Sequence, residues 1–432
     1  MRNMSERIQT DISLSTKMVF EKIIAEIKRV DDEYYYRKQY LKDGYHFHAI
    51  EKKTVQFLDG HLTLERRYYY NRYKKQGYYY IDDIYNVERY KRQAECIKEY
   101  VYNNVYNMPI RTIARNLGLT TTTIYKIIST LGKKEIKEHI TPNTSLQTLY
   151  LQADEDHNKL QHPLNKVRSM QSRLIMLYEN RVKICKGRYA LTGKHYFLAT
   201  SRESHIDFWE HVNDYITVKY PNVKKIYFGA DGGAWIKRGL DILPKLKTIY
   251  IYDHFHVHKA IKSIFARSES NKAIAYNIIK QGDMTEFAKH YYKHVENHSA
   301  DDTKYKFKQL KTLLSHWKYI RRNFTLKDYY GTSAEGHISH YLSRHLSSRP
   351  KAFAPTRLKH YLKILEYKLN DIDYDTYNNA VEVENKDYYI DITKPIPLTT
   401  KPYSNASSII GILNHSCNTG SRKAFAGILN KI

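Results

Sequence analysis

Residues 224–265 read KKIYFGADGGAWIKRGLDILPKLKTIYIYDHFHVHKAIKSIF, and two short apolar runs within them each end on a carboxylate. KKIYFGAD (224–231) has the length and aromatic, β-branched content of a buried strand, and KTIYIYD (247–253) is a second. GAWIKRGLDIL (233–243) between them and FHVHKAIKSIF (255–265) after them carry apolar residues at helical spacing. Strand, helix, strand, helix in this order calls for a parallel pair joined by a helical crossover. After Asp231, Gly232-Gly233 lets backbone approach closely and opens a helix whose N-terminus can bind an anion.

Toward the N-terminus, TLYLQAD (148–154) reads as a strand ending in Asp154. SRLIMLY (172–178) and the segment around 188–200 read as two more strands, and SHIDFWEHVNDYITVKY (204–220) as an amphipathic helix. The order βββαβαβα, with acids at three strand ends, is that of a ribonuclease-H-like α/β fold, and open α/β sheets place their sites at such ends. Residues 266–330 interrupt it with charged helical sequence, best seen in 302–324, where Phe307, Leu310, Leu313, Leu314 and Trp317 make one apolar face. After Gly331, SAEGHISHYLSRHL (333–346) reads as a helix with Ser333 as cap and Glu335 in its first turn. The Pro-punctuated 392–408 is the clearest linker, and a small helical tail follows it.

Upstream, Leu14, Met18, Ile23, Ile27 and Val30 mark an amphipathic helix, and Thr54–Leu58 and His61–Leu64 flank the hairpin turn Asp59-Gly60. In MPIRTIARNLGLTTTTIYKIIS (108–129), Pro109 opens a short helix with Ile113, Ala114 and Leu117 inward. Gly118 permits a tight turn, and the Thr120–Thr123 run caps a second helix buried through Ile124 and Ile127. This is helix-turn-helix spacing; an ordinary helical hairpin is the plainer alternative. It would present Thr121, Thr122, Tyr125 and Lys126 to a major groove. The expected division is an α+β N-terminal module (1–88), a helix-turn-helix DNA-binding domain (89–140), and a catalytic domain in two parts (145–265 and 331–391). A helical insertion (266–330) separates those parts, and a linker with helical tail (392–432) ends the chain.

The chain has 432 residues, and its 71 Lys and Arg against 45 Asp and Glu leave a formal charge of +26. Such an excess implies a polyanionic partner, nucleic acid being the commonest. No apolar run approaches the roughly 18 residues of a membrane span, and the N-terminal MRNMSERIQTDISLSTKM lacks the apolar core of a secretory signal. Cys96, Cys185 and Cys417 lie too far apart for a disulfide framework or a Cys-rich zinc module, which fits a reducing cytoplasm. The 42 tyrosines fit AT-rich codon usage. Those of Tyr34–Tyr36, Tyr68–Tyr70 and Tyr78–Tyr80, interleaved with Arg37, Arg66, Arg67 and Lys74, could equally stack on bases and grip phosphates.

Asp154, Asp231, Asp253 and Glu335 each fall at a strand end or helix start. Carboxylate oxygens suit Mg²⁺ and Mn²⁺, and carboxylates gathered at one sheet edge repel one another unless a cation neutralises them. Glu155 and Asp156 flank Asp154, so the first acid is open by two positions. His254, His256 and His258 offer a rival zinc reading, but imidazoles two apart rarely close on one metal without distant partners. For His337, His340 and His345 a solvated or phosphate-facing role fits better than ligation.

LYLQADEDHNKLQ (149–161), FGADGGAWIKRG (228–239), IYDHFHVHK (251–259) and SAEGHISHYLSRHLSSRP (333–350), in this order, resemble the ISLre-type insertion-sequence transposases of bacteria. These are UPF0236-like proteins related to the Mutator-like DDE superfamily. The hairpin and RRYYYNRYKKQGYYYIDD (66–83) resemble that family's N-terminal region, so the likeness spans roughly residues 45–350. It implies a DDE transposase with Asp154, Asp231 and Glu335 as catalytic residues and ligands of two Mg²⁺ or Mn²⁺ ions, and Asp253 and His256 as the supporting Asp-x-x-His signature. It also implies double-stranded DNA as partner (terminal inverted repeats and target), a homodimer or higher oligomer on that DNA, and a cytoplasmic, nucleoid-associated protein. Alternatives are a domesticated nuclease of the same fold and a non-catalytic DNA-binding regulator. A tyrosine recombinase lacks an Arg/His constellation around any one Tyr.

Overall fold

The computed structural model describes residues 4–58, 60–85, 92–136, 140–161, 168–186, 188–244, 247–266, 268–296, 300–347 and 352–380. The expected linker and tail lie outside the described residues. The described residues form ten strands: β1 His46–Phe57, β2 Gly60–Asn71, β3 Gln76–Tyr79, β4 Thr148–Lys159, β5 Ser169–Tyr178, β6 Asn180–Cys185, β7 Arg188–Thr192, β8 His195–Thr200, β9 Lys225–Ala230 and β10 Thr248–Tyr252. Five of them form a mixed sheet in the order β10-β9-β4-β5-β8. β5 runs antiparallel to β4 and β8 antiparallel to β5, whereas β9 is parallel to β4 and β10 to β9.

Both faces of this sheet are covered, which is why β4 is buried continuously from Leu149 to Asp154 instead of alternating. Leu149, Leu151 and Ala153 pack with Phe228 beneath the helices His205–Lys219 and Ala234–Ile242, around Trp209 and Ile236. Tyr150 turns to the other face, toward Ile338, Leu342 and the helix Pro355–Leu369. Asp154 was expected to end its strand. It sits mid-strand instead, because Glu155–Lys159 continue the antiparallel ladder with Arg173–Ser169. What ends near Asp154 is the parallel ladder: Ala153 pairs with Ala230, the last residue of β9, so one side of β4 has no strand partner from Asp154 to Asn158, before Phe353 bonds Lys159 and Gln161. The segment 188–200 is also divided, by Gly193 in the left-handed conformation (φ +59°). β7 pairs with the unforeseen β6 as a separate ribbon, and only β8 joins the large sheet.

The helix His254–Ile264 follows β10, and its Val257, Ile261 and Ile264 support four inserted helices: Glu269–Gln281, Met284–Val295, Ala300–Ser315 and Trp317–Thr325. The apolar face expected over 302–324 is present, with Leu310, Leu313 and Trp317 buried, although the helix breaks at His316. The helices Glu95–Asn104, Ile110–Asn116 and Thr121–Lys133 share one apolar cluster with Pro355–Leu369 and the adjoining sheet face, so they do not stand apart from the rest of the chain. No helix among the described residues is long and apolar enough to cross a membrane.

In the N-terminal part, a long helix, Met4–Tyr36, lies against the sheet β1-β2-β3. The tyrosines expected to stack on bases mostly stack on each other: Tyr34 lies 3.7 Å from Tyr80 in parallel, and Tyr69 is fully buried among Tyr34 and Tyr40. Arg67 is held by Asp31 (2.9 Å) and Asp32 (2.6 Å), and Arg66 forms a buried pair with Asp82 under the Tyr79 ring. Acids distant in sequence thus take up Arg66 and Arg67, two of the cations that looked available to phosphate. Replacing Asp82 by Ala strands the Arg66 charge in a site where it is 4% exposed. The expected cost is about 3–5 kcal/mol, read as a lowered urea midpoint.

Candidate active site

The open side of β4 is where the acids meet. Because Ala153 and Ala230 are paired, the residues that follow them, Asp154 and Asp231, are delivered to the same edge of the sheet. Asp231 accepts the Gly233 N–H at 2.9 Å, and Gly232 makes the turn at φ +84°. A side chain at Gly232 would stand 2.9 Å from His316 Nε2 and 3.1 Å from the Tyr250 hydroxyl, so the turn needs glycine both for its conformation and for space.

Asp154 is 5% exposed. One oxygen accepts the Glu155 N–H at 2.8 Å, and the other is buried with no hydrogen-bond partner. Burial, then the charges of Asp231, Glu335 and Asp253, push its carboxyl up to about 8 against the Glu155 N–H, which pulls the other way. The neighbouring acids are otherwise engaged. Glu155, on the opposite face of the strand, accepts from Gln171 Nε2 and Trp235 Nε1, both at 2.6 Å. Asp156 accepts from Ser347 Oγ at 2.9 Å and Asn158 Nδ2 at 3.3 Å.

Asp253 caps the helix His254–Ile264 by accepting the Phe255 N–H at 2.9 Å, while its own N–H donates to the Ala230 carbonyl at 2.9 Å. Its carboxylate also accepts the Thr332 hydroxyl. In the first turn of that helix, His256 has Nε2 buried without a partner. One donor atom each from Asp154, Asp231 and His256 lie within 4.8 Å of one another, the one such group of three among the described residues. Glu335 is outside that group, but its charge reaches Asp154.

A family model described as Uncharacterised protein family UPF0236 matches residues 1–386. The chain belongs to the UPF0236 family. Two UPF0236 proteins of Caldanaerobacter subterraneus subsp. tengcongensis are each 27% identical to it over 380 residues, covering 86% of this chain and 79% of theirs; the name of one joins eleven locus designations. Among solved structures, the Drosophila P element transposase strand transfer complex is similar over 68% of this chain and 82% of that chain, at 10% identity and a TM-score of 0.24. A type 1 RNase H1 with the type 2 active-site motif is similar over 49% and 89%, at 10% identity and a TM-score of 0.17. At such scores the likeness is too slight to transfer a fold or a role.

In this UPF0236 chain the start of the Glu335 helix is tied to β4 through a residue that motif spacing does not single out. Gln152, two positions before Asp154 on the same face of β4, accepts the Ser333 N–H (2.9 Å) and hydroxyl (3.1 Å) through Oε1. Ser333 therefore does not cap the helix with its side chain as expected; its hydroxyl is spent on β4. A buried glutamine among apolar neighbours was the available signal. After Ala334–His337 the helix widens to a π-helix over Ile338–Ser347, and Ile338, Leu342 and Leu346 repeat every four residues along its buried side. His337 lies against Tyr196, whose hydroxyl is 3.2 Å from its Nδ1, and burial pushes its pKa down to about 4. His345 Nδ1 lies 2.9 Å from the Tyr106 carbonyl. These two histidines are packed, not solvated; His340 is exposed. Of the zinc alternative, His258 bonds Tyr276 at 2.6 Å (Nδ1 to Oη), so His256 alone of the three joins the acids.

The helix Thr121–Lys133 is capped by Thr120, which accepts the Thr123 N–H at 3.2 Å, after a turn at Gly118 (φ +61°). Thr122 and Lys126 are exposed, whereas Thr121 and Tyr125 are half-buried, the Tyr125 ring lying 4.2 Å beneath the Arg357 guanidinium.

Proposed function

We propose that the chain is a DNA transposase of the DDE type, built on a ribonuclease-H-like sheet, that cuts and rejoins strands at the terminal inverted repeats of its own element. The observation that carries this reading is the delivery of Asp154 and Asp231 to one notch of the sheet, beside the Glu335 charge, with a buried carboxylate oxygen left unpaired. Three antiparallel strands followed by two parallel ones, ordered β8-β5-β4-β9-β10, support the ribonuclease-H-like assignment. A relative whose one name spans eleven loci of a genome has the copy pattern expected of mobile DNA.

The donors present fit a divalent cation: two carboxylates and an imidazole converge, and Asp154 is costly to ionise without a counter-charge. Asp154 and Asp231 would hold a Mg²⁺ or Mn²⁺ ion, and Asp154 with Glu335 would serve a second. A bound cation supplies Lewis-acid polarisation of the phosphodiester and of the attacking oxygen. Around it, Asp253 fixes the Thr332 loop and Gln152 fixes Ser333, so that Glu335 approaches from a defined side. Water attacks the phosphorus in line, the P–O3′ bond breaks, and the element end is left with a 3′-hydroxyl. That hydroxyl then attacks a target phosphodiester, forming one P–O bond as another breaks, with no covalent protein intermediate.

DNA recognition falls to the helix Thr121–Lys133 through Thr121, Thr122, Tyr125 and Lys126, in a homodimer or higher oligomer assembled on the DNA. Lys126→Ala should weaken binding to every sequence and reduce the salt slope by ~0.9, one phosphate's worth. Thr122→Ala should relax sequence preference instead. Fluorescence anisotropy across a salt series separates the two. Strand transfer with pre-cut terminal DNA tests the reaction: joined products are expected, and cleavage of uncut ends without joining would identify a nuclease of the same fold.

A further inference from the structure

We propose that His256 is a direct ligand of the cation, making this an Asp-Asp-His site that selects Mn²⁺, or another transition divalent ion, over Mg²⁺. The inference deepens the proposed function by naming the metal preference of the same site.

Among the described residues, the only three side chains whose donor atoms fall within 4.8 Å of one another are Asp154, Asp231 and His256. Metal–donor bonds of roughly 2.0–2.2 Å place two donors of one ion no more than about 4.4 Å apart, so the three are close to ligating distance without moving any backbone. Two members of this group each carry a buried, unsatisfied atom, Asp154 Oδ2 and His256 Nε2. Buried polar groups are normally bonded, and orphans on two of the three members of one donor group call for a ligand there.

His256 has no competing structural task. Asp253 caps its helix, and Val257, Ala260, Ile261 and Ile264 make the face that packs on the insertion. The imidazole meets the neighbouring Phe255 ring edge-on at 5.5 Å. His316 is the other imidazole near Asp231, but it is outside the three-donor group, and its Nδ1 lies 3.0 Å from the Thr312 carbonyl. Imidazole nitrogen is a ligand of first-row transition ions, for which the affinity of such a site rises from Mn²⁺ toward Cu²⁺, whereas Mg²⁺ prefers an all-oxygen shell.

Pulsed electron paramagnetic resonance of the full chain loaded with Mn²⁺ tests this without any turnover. A ¹⁴N coupling to the bound ion is expected in the unaltered protein and in His316→Gln, and its loss in His256→Gln. In competition titrations, His256→Gln should lose at least the ~10–100-fold in Mn²⁺ affinity that loss of an outer-shell partner costs, while Mg²⁺ affinity stays nearly unchanged. His256→Asp, which restores an oxygen donor, should bind Mn²⁺ without the nitrogen signal, and it serves where the glutamine variant does not fold. Bound Mn²⁺ with no ¹⁴N coupling, or a coupling that survives in His256→Gln, would overturn the ligand assignment and leave the transposase reading standing. Failure to bind either ion would overturn both.

Discussion

Asp231→Asn is expected to lower DNA end cleavage by roughly 10³-fold or more while leaving binding to the same DNA intact. The substitution keeps the shape of the side chain, and its amide oxygen can still accept the Gly233 N–H that holds the turn. It removes one of the two negative charges that meet where the β4–β9 ladder ends, and with it the ionic half of cation binding. Several kcal/mol of transition-state stabilisation depend on such a cation, ~4 kcal/mol corresponding to about 10³-fold in rate. In the proposed mechanism Asp154, Asp231 and Glu335 serve one reaction centre, so Asp231→Asn combined with Glu335→Gln should cost little more than either alone. Gel-based cleavage rates for the single and double variants, beside binding isotherms, check both statements. Equal losses in cleavage and binding would mean that Asp231 serves DNA affinity instead.

Gly229→Ala is expected to impair both stability and cleavage through a residue that touches no DNA and no cation. Gly229 lies in β9 beneath the 329–332 segment, and an added methyl would fall 2.4 Å from Thr332 Cγ2 and 2.6 Å from the Tyr329 hydroxyl oxygen. Overpacking of this kind costs about 1–3 kcal/mol. The segment it lifts carries the Thr332 bond to Asp253 and the Ser333 bonds to Gln152, which set the position of Glu335. A displacement of about 1 Å at a catalytic group can cost ~10²-fold in rate. Thr332→Ser with Tyr329→Phe removes both obstructing atoms and keeps the hydroxyl that bonds Asp253. In a mutant cycle with Gly229→Ala, that pair should restore melting temperature and cleavage together. Restored stability without restored cleavage would separate Gly229 from the placement of Glu335.

How much of this was legible in the sequence differs from element to element. The strands ending at Asp231 and Asp253 were readable because a buried parallel strand leaves a continuous apolar run, and the acid that stops the run marks its end. β4 misleads by the same rule. Its last five residues, Glu155–Lys159, are polar and look like a loop, yet they pair with β5, whose apolar run does not announce the register. The β6–β7 ribbon escaped notice because it buries little, with Val182 and Ile184 more than half exposed. In the tyrosine and arginine clusters, Asp31, Asp32 and Asp82 take up Arg66 and Arg67, a pairing that no local spacing announces, while Arg37 and Lys74 stay exposed. At the site, residue types and order pointed to the acids, but contacts made across the fold decided the rest. Gln152 reads as a polar interruption until Ser333 is seen to bond it, and His256, marked in the sequence only as a supporting residue or one of three zinc candidates, is found grouped with Asp154 and Asp231.

The most direct measurement is cleavage of the DNA that flanks this gene's own reading frame, by the purified full chain, with Mn²⁺ or Mg²⁺ and with a chelator. Strand breaks are expected at the element ends; they leave 3′-hydroxyls, appear only with the divalent ion, and feed joined products into target DNA. Tight binding of those ends with no cleavage in either ion, or cleavage that persists in the chelator, would contradict the transposase reading.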